Sequence, residues 1–207
     1  MKYIRYVREH FGDQGFPVIR LSDLKTALKS QKISDAYLKR LVNYMMHSGE
    51  LKRITKGIYT LHDDITVIGF AFQPFYYGLE NALTIRKLWE QSTNPIVLTP
   101  KMARTGVRKF GDANYLVQRI PKNLFFGYEL VKYYDFWIPV SDIEKTLIDF
   151  VYFRHHIRED VMEVMKSRID KRRVQNYLKK YPYDTRKKVS NLLKLKIQNE
   201  WDPYKAR

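Results

Sequence analysis

The segment 34–61 constrains the fold most, because a long predicted helix is followed directly by two short β-prone pieces. Apolar residues fall on one face of this helix at about 100° per residue: Leu38, Leu41, Val42 and Met45. Ser34 can cap its start, and Gly49 can end it in a left-handed conformation. The sequence ELKRITKGIYTL then predicts strands at 51–54 and 58–61. A hairpin this small cannot bury a core of its own, so it must pack on the helix or contact another molecule.

The preceding residues complete a recognisable order of elements. A first helix is predicted from Lys2 to about Phe11, followed by an extended piece at 17–20 and a second helix with Ser22 as its N-cap. The order helix, short strand, helix, brief turn, helix and two-stranded hairpin is that of the winged helix-turn-helix, in which the hairpin packs beside the recognition helix. Alternation along the hairpin, with Gly57 at its corner, predicts one packed face and one solvated face.

The outer face of the helix 34–48 is suited to the major groove of DNA. Arg40 offers bidentate donors to guanine, and Asn43 pairs with an adenine edge, so these two are the leading base readers. The residues expected to contact DNA from this helix are Ser34, Tyr37, Lys39, Arg40, Asn43, Tyr44 and His47. The hairpin residues expected to contact its backbone are Lys52, Arg53, Thr55 and Lys56. An ordinary solvated helix face is the alternative interpretation.

Charge is distributed unevenly along the 207 residues, whose net charge is +16. Residues 1–61 hold 12 Lys+Arg against 5 Asp+Glu, residues 62–153 hold 10 against 10, and residues 154–207 hold 16 against 7. A neutral middle between two basic ends indicates that the ends meet a polyanion and the middle does not. Solvated, lysine-rich helix faces are the alternative.

The rest of the chain predicts a mixed α/β domain and a helical tail. His62-Asp63-Asp64 reads as a linker, followed by strands near 65–72, 96–98, 115–120, 124–131 and 136–140 and by helices at 76–90 and from a capping box at Ser141. Tail helices are predicted at 159–168, 171–181 and 185–201. The fold class is therefore α+β, with a winged-helix domain at 1–63, a mixed α/β domain at 64–155 and a basic tail at 156–207 packed on it.

The tail carries runs of basic residues between its apolar positions. They form a candidate second phosphate-contacting surface, or one that holds an acidic partner: Lys171, Arg172, Arg173, Lys179, Lys180, Arg186, Lys187 and Lys188. A solvated helix-bundle surface explains the same residues.

Three blocks, in order over roughly residues 15–155, resemble the AbiEi antitoxin family. RITKGIYTL at 53–61 is similar to its (R/K)-G-x-Y-x-L wing, and FYYGLENAL at 75–83 to a helix of the family, although Glu80 and Asn81 stand where the family has small residues. IPVSDIEKTLIDFV at 138–151 resembles its E-(R/K)-(T/A)-L-(I/L)-D helix. The resemblance implies a winged helix that binds inverted repeats in its own promoter and a C-terminal domain that opposes a nucleotidyltransferase toxin in a phage-defence, abortive-infection module.

A DNA-processing enzyme of the nuclease type is the main competing class. Its metal site needs an acidic residue and an acidic-x-Lys triplet, whereas Asp142-Ile143-Glu144-Lys145 has the wrong spacing and His155-His156 point apart on a helix. His62-Asp63-Asp64 is better explained as a linker than as metal ligands. No phosphate-binding glycine loop or nucleophile elbow occurs, and the chain has no cysteine. We therefore expect no catalytic residue, metal or cofactor.

The sequence thus predicts a cytoplasmic, DNA-binding transcriptional repressor that acts as an antitoxin and autoregulates its operon. Its expected partners are double-stranded DNA carrying promoter inverted repeats, a second copy of the chain on that DNA, and a cognate nucleotidyltransferase toxin. No run of about 18 apolar residues occurs, so no membrane partner is expected. An adaptor whose basic tail recruits RNA or an acidic protein is a third alternative.

Overall fold

The computed structural model describes residues 2–13, 15–134 and 136–195. They form two compact units. The first contains the described residues up to Tyr77 together with Asn94–Arg119 and Leu130–Pro139, and the second contains Gly78–Thr93, Ile120–Glu129 and the described residues from Val140 onward. The sequence-based boundaries at residues 63 and 155 stay predictions.

The first unit begins with the winged helix. Its elements are α1 (Lys2–Val7, continued by a π-helical turn Arg8–Gly12), β1 (Ile19–Arg20), α2 (Leu21–Ala27), α3 (Asp35–His47), β2 (Lys52–Thr55) and β3 (Ile58–Thr60). The three strands pair in the order β1-β3-β2, with Ile19 opposite Tyr59 and Lys52 opposite Thr60. The predicted winged helix is confirmed, with β1 as a third strand beside the hairpin.

Apolar residues of α1, β1, α2, α3 and β3, with Leu51 just before β2, form one core. The predicted stripe of α3 is buried, and it packs with α1, α2 and the hairpin; the cluster comprises Val7, Phe11, Ile19, Leu24, Leu28, Leu38, Leu41, Val42, Met45, Leu51 and Tyr59. The hairpin therefore leans on the preceding helix, as its alternation indicates.

One local prediction in this region is wrong. Helix α2 begins two residues earlier than an N-cap at Ser22 would place it, because Arg20 is its N-cap and Asp23 Oδ2 accepts a hydrogen bond from the Arg20 backbone N–H at 3.0 Å. Thr60 of the hairpin is fully buried, and its hydroxyl donates to the Pro17 carbonyl at 2.8 Å. Strand β3 is the central strand, so its backbone pairs with a neighbour on both sides.

A larger, six-stranded sheet follows the winged helix. Its strands are β4 (Tyr76–Tyr77), β5 (Ile96–Thr99), β6 (Gly106–Phe110), β7 (Ala113–Arg119), β8 (Tyr128–Tyr133) and β9 (Phe136–Ser141). They lie in the order β6-β7-β5-β4-β9-β8, so β6 and β8 are the two edges. β5 pairs with β7 in parallel, and β6 forms an antiparallel hairpin with β7. The sequence did not predict β6.

Residues Ile65–Phe72 form a 3₁₀ helix, where a strand was predicted. The Asp64 side chain accepts from the Thr66 backbone N–H at 2.8 Å and so caps the start of this helix. Most of its residues are buried, and an apolar run buried on all sides carries no periodicity that would separate helix from strand.

The second unit is mostly helical in its described residues, and it also includes the start of β8 and the end of β9. Its helices are α4 (Leu79–Ile85), α5 (Ile143–Phe153), α6 (Glu159–Arg168), α7 (Lys171–Leu178) and α8 (Tyr183–Leu193). The helix predicted at 76–90 is shorter than expected, and Asp142, not Ser141, caps α5 by accepting from the Lys145 backbone N–H at 2.7 Å. The predicted end of the last helix at residue 201 lies outside the described residues. The α+β class is confirmed, and no described helix is long and apolar enough to cross a membrane.

Candidate nucleic-acid interface

Helices α2 and α3 are joined by a short turn that side-chain contacts stabilise. Ser34 Oγ accepts from the Tyr37 backbone N–H at 3.2 Å and thereby caps α3, as predicted. Lys25 on α2 donates to Asp35 in the first turn of α3 at 2.9 Å, which lowers the pKa of the Asp35 carboxyl. The negative charge also suits the positive end of the helix dipole. Together these contacts set the direction in which α3 leaves the turn.

The face of α3 opposite its buried stripe carries the predicted base readers. Tyr37, Lys39, Arg40, Asn43, Tyr44 and His47 are all exposed. His47 Nδ1 lies 2.7 Å from the Asn43 carbonyl oxygen, so that ring nitrogen is engaged within the helix. The structure therefore brings the six side chains onto one accessible surface, which is the arrangement that a recognition helix requires.

An aromatic hollow of about 390 Å³ borders this face, and one of its residues was missed by sequence reasoning. Tyr3 of α1 packs edge-on against Tyr37 with ring centroids 5.7 Å apart, and Arg40 lies 5.8 Å from the centroid of the Tyr37 ring. Tyr44, 58% exposed, lines the same hollow. Because Tyr3 lies 34 positions before Tyr37 in the chain, only the packing of α1 on α3 shows that it supports Arg40.

The wing presents only part of its predicted backbone-contacting set. Arg53 and Lys56 are exposed, Thr55 is half-buried, and Gly57 takes the expected left-handed conformation at φ 74°. Lys52 instead forms an ion pair with Asp63. Its charge is already partly compensated, so Lys52 is the weakest candidate of the four for a phosphate contact.

The wing is fixed at two points within the first unit. The Leu21 backbone N–H donates to the Gly57 carbonyl at 2.9 Å, which ties the corner to the start of α2. The Tyr115 hydroxyl on β7 donates to the Ile54 carbonyl at 3.1 Å, beside the irregular register of β2. Burial raises the pKa of Tyr115, so its hydroxyl stays a proton donor. The tip of the wing therefore belongs to a hairpin whose backbone is held by hydrogen bonds at two points.

Three cations of the candidate basic surface of the tail have partners within the second unit. Arg173 lies 3.7 Å from a Glu144 carboxylate oxygen and 3.9 Å from one of Asp142, and Lys180 Nζ stands 4.2 Å above the centroid of the Phe126 ring. Arg186 is half-buried against Tyr183. Every other member of the set is exposed, namely Lys171, Arg172, Arg173, Lys179, Lys180, Lys187 and Lys188. Arg173, Lys180 and Arg186 therefore also make contacts within the second unit.

The most deeply buried charges lie on α5, on two residues with the i, i+4 spacing of a helical ion pair. Lys145 and Asp149 form an ion pair whose side chains are fully buried. The Lys145 ammonium also donates to the Tyr181 hydroxyl at 2.6 Å, and that hydroxyl donates to Asp149 at 2.7 Å. Burial lowers the pKa of Lys145 and raises that of Tyr181. Tyr181 lies 36 residues beyond Lys145, so helical spacing alone could not reveal it.

The residues weighed for a nuclease site are engaged elsewhere. Asp142 caps α5 and accepts from the Tyr177 hydroxyl at 2.7 Å, and Glu144 accepts from the Asp170 backbone N–H at 2.8 Å. Lys145 is enclosed with Asp149. Within 2–13, 15–134 and 136–195, no cluster of three or more His, Asp or Glu residues could hold a metal ion.

The arrangement defines a winged helix-turn-helix unit with an exposed, basic and aromatic recognition helix. Residues 5–62 match the family model described as "Transcriptional regulator, AbiEi antitoxin", which confirms the resemblance over that segment. The later blocks at 75–83 and 138–151 lie beyond the match. No protein of curated function matches the sequence.

A solved structure shares the fold over most of the chain. The crystal structure of the RV2827C protein from Mycobacterium tuberculosis superposes with a TM-score of 0.64 at 14% identity, covering 94% of this chain and 77% of that protein. At this identity the similarity concerns the fold alone. It extends well past the winged helix, so the combination of both units recurs in another protein.

Proposed function

We propose that the protein is a sequence-specific DNA-binding repressor of the AbiEi antitoxin type that represses its own operon. The observation that carries the proposal is the exposed face of α3, which combines Arg40, Asn43 and Lys39 in the segment matched by the regulator family model. A helix so placed in a winged helix enters the major groove, and its side chains read base edges there.

The two parts of the interface have different tasks in this mechanism. Arg40 and Asn43 provide base readout, with Tyr44, Tyr37 and His47 beside them. Arg53 and Lys56 on the wing neutralise phosphates and fix the register, which adds affinity without sequence information. Lys39 and the Ser34 hydroxyl contact backbone at the start of the groove. No step is catalytic, and no cofactor takes part.

Repression requires that two copies occupy an inverted repeat, because a single winged helix buries too little surface for tight specific binding. Half-sites one helical turn apart, about 10 base pairs, would place both copies on the same side of the duplex. Repression then follows from occlusion of the promoter.

The antitoxin role assigns a second task to the chain, opposition of a nucleotidyltransferase toxin encoded beside it. This part rests on the match of residues 5–62 to an antitoxin family. It is tested by expressing the neighbouring nucleotidyltransferase gene with and without this chain: growth rescue supports the assignment. An unrelated neighbouring gene, or continued toxicity, contradicts it.

DNA binding is tested with the full chain and a labelled duplex from upstream of its own gene. We expect binding at least about 10³-fold tighter than to a duplex of the same length and composition with the inverted repeat scrambled, at physiological salt. Equal affinity for both duplexes would remove the repressor assignment. Incubation of plasmid DNA with Mg²⁺ or Mn²⁺ tests the competing nuclease class, for which cleavage is the positive result.

A further inference from the structure

A groove of about 830 Å³ lies in the first unit beside the wing. The hairpin contributes Thr55 and Ile58, and the opposite wall comes from residues 101–108, which form the loop after β5 and the start of β6. β2 packs against β6 at this place. The groove is therefore continuous with the surface on which Lys56 and Arg53 are exposed.

The wall formed by residues 101–108 is strongly basic, although the middle segment of the chain is neutral as a whole. Residues 100–110 contain Lys101, Arg104, Arg108 and Lys109 and no acidic residue. No acidic residue lines the groove either, and Lys101 and Arg104 are exposed. In the part of the chain that the structure describes, neither forms an ion pair. The balanced total for residues 62–153 concealed this local excess of positive charge.

Internal hydrogen bonds hold the loop in place at both ends. At its start, the Thr99 hydroxyl lies 2.9 Å from the Phe72 carbonyl oxygen and 2.7 Å from that of Pro74, and it accepts from the Lys101 backbone N–H at 3.1 Å. At its end, the Arg108 guanidinium donates to the Arg104 carbonyl and lies 5.1 Å from the centroid of the Phe72 ring. Because the loop is preorganised, binding an anion through it costs little conformational entropy.

We propose that Lys101 and Arg104 form a phosphate-contacting surface that continues the wing and binds the sugar-phosphate backbone flanking each half-site. The inference rests on the proposed function, since the wing must lie on the same duplex. Charge complementarity and continuity with the wing favour duplex DNA as the occupant of the groove. Arg108 acts as a positioning residue that holds the backbone of Arg104.

The test uses two duplexes and three single-charge variants of the full chain. One duplex ends at the half-sites, and the other extends about 10 base pairs further on each side. Lys101→Ala and Arg104→Ala each remove one exposed charge from the loop. The matched control, Lys132→Ala, removes one exposed charge from β8, the opposite edge of the six-stranded sheet. Arg104→Ala keeps the carbonyl that Arg108 contacts, so the loop should fold normally, and an unchanged melting temperature checks this.

We expect the wild-type protein to bind the extended duplex more tightly than the short one. On the extended duplex each loop variant should lower the slope of log K against log salt concentration by about 0.9, with no change on the short duplex. Lys132→Ala should change neither slope. The inference would be overturned if the loop variants had the same salt slopes as the Lys132→Ala control on both duplexes, or if their slopes fell equally on both. Either result would leave the repressor assignment intact. Failure of the wild-type protein to prefer the inverted repeat would instead overturn the proposed function itself.

Discussion

On α3 the charged side chains Lys39 and Arg40 are exposed, whereas on α5 the charged side chains Lys145 and Asp149 are fully buried. Both helices carry an apolar stripe, so the difference lies in what the charges meet. On α3 they face solvent and remain available to another molecule. On α5 each charge is satisfied by the other and by the Tyr181 hydroxyl. Charge on one helix is suited to recognition, and on the other it specifies how the second unit packs.

The largest expected effect therefore concerns stability and not binding. Asp149→Asn leaves the Lys145 ammonium buried without its carboxylate, and loss of one partner of a buried ion pair costs about 3–5 kcal/mol. Urea unfolding of the full chain should show a lower transition midpoint. Burial lowers the pKa of Lys145 and the Asp149 carboxylate opposes this effect, so the substitution shifts the lysine further toward its neutral form and softens the loss.

Glu163→Gln is the matched control, because Glu163 and Lys166 form an exposed ion pair at 3.5 Å on α6. Pairs of this kind contribute little to stability. If Asp149→Asn and Glu163→Gln give the same midpoint, the buried pair does not have the structural role assigned to it.

Arg40→Ala should show the opposite pattern, with lost binding and unchanged stability. We expect a cost of about 1–3 kcal/mol on the specific duplex and relaxed preference at one base position. Titrations against duplexes substituted at each position of the half-site measure it. An equal loss on every duplex would assign Arg40 to the phosphate backbone and leave Asn43 as the leading base reader.

The wing offers a finer comparison between two lysines four residues apart. Lys56→Ala should weaken binding uniformly across sequences and lower the salt slope by about 1, because Lys56 is exposed at the tip. Lys52→Ala should lower it less, since Lys52 is paired with Asp63. Equal slopes for the two variants would mean that DNA displaces Asp63 from Lys52.

Several features of α3 and the wing were predictable because each depends on residues that lie close together in the sequence. The stripe of α3, the Ser34 cap and the left-handed Gly57 each depend on residues within one or two helical turns, and all three are present as predicted. The Arg40 surroundings were only partly predictable. Tyr3 reaches them through tertiary packing that no periodicity in the sequence encodes.

Other features of the structure were not predicted from the sequence, and each has a physical reason. Strand β6 is short, and with the sequence GVRKF it has only two apolar side chains and two adjacent basic residues, so it was not predicted as a strand. The neutral sum over 62–153 hid the basic loop beside the wing, because charge totals average over surfaces that the fold separates. Lys145 and Asp149 have the spacing of an exposed helical pair, and only the approach of Tyr181 and Phe126 shows that they are enclosed.

The smallest expected effect concerns the ion pair that orients α3. Lys25 lowers the pKa of Asp35, so the carboxylate stabilises the folded state at pH values above its unfolded pKa of about 3.9, and this contribution is lost as the pH falls through the lower folded pKa. Asp35→Asn should therefore melt at a slightly lower temperature than the wild type at pH 6, and the difference should vanish as the pH approaches 2.

Both partners are exposed, so salt weakens their interaction, and melting curves are best recorded at low ionic strength. Lys25→Gln should show a pH dependence of the same sign, and the double variant should lose less than the sum of the two single losses, because either substitution already removes the pair. A difference in melting temperature that stays constant from pH 6 to pH 2 would show that the charge of Asp35 does not contribute. The orientation of the recognition helix would then depend on its buried stripe alone.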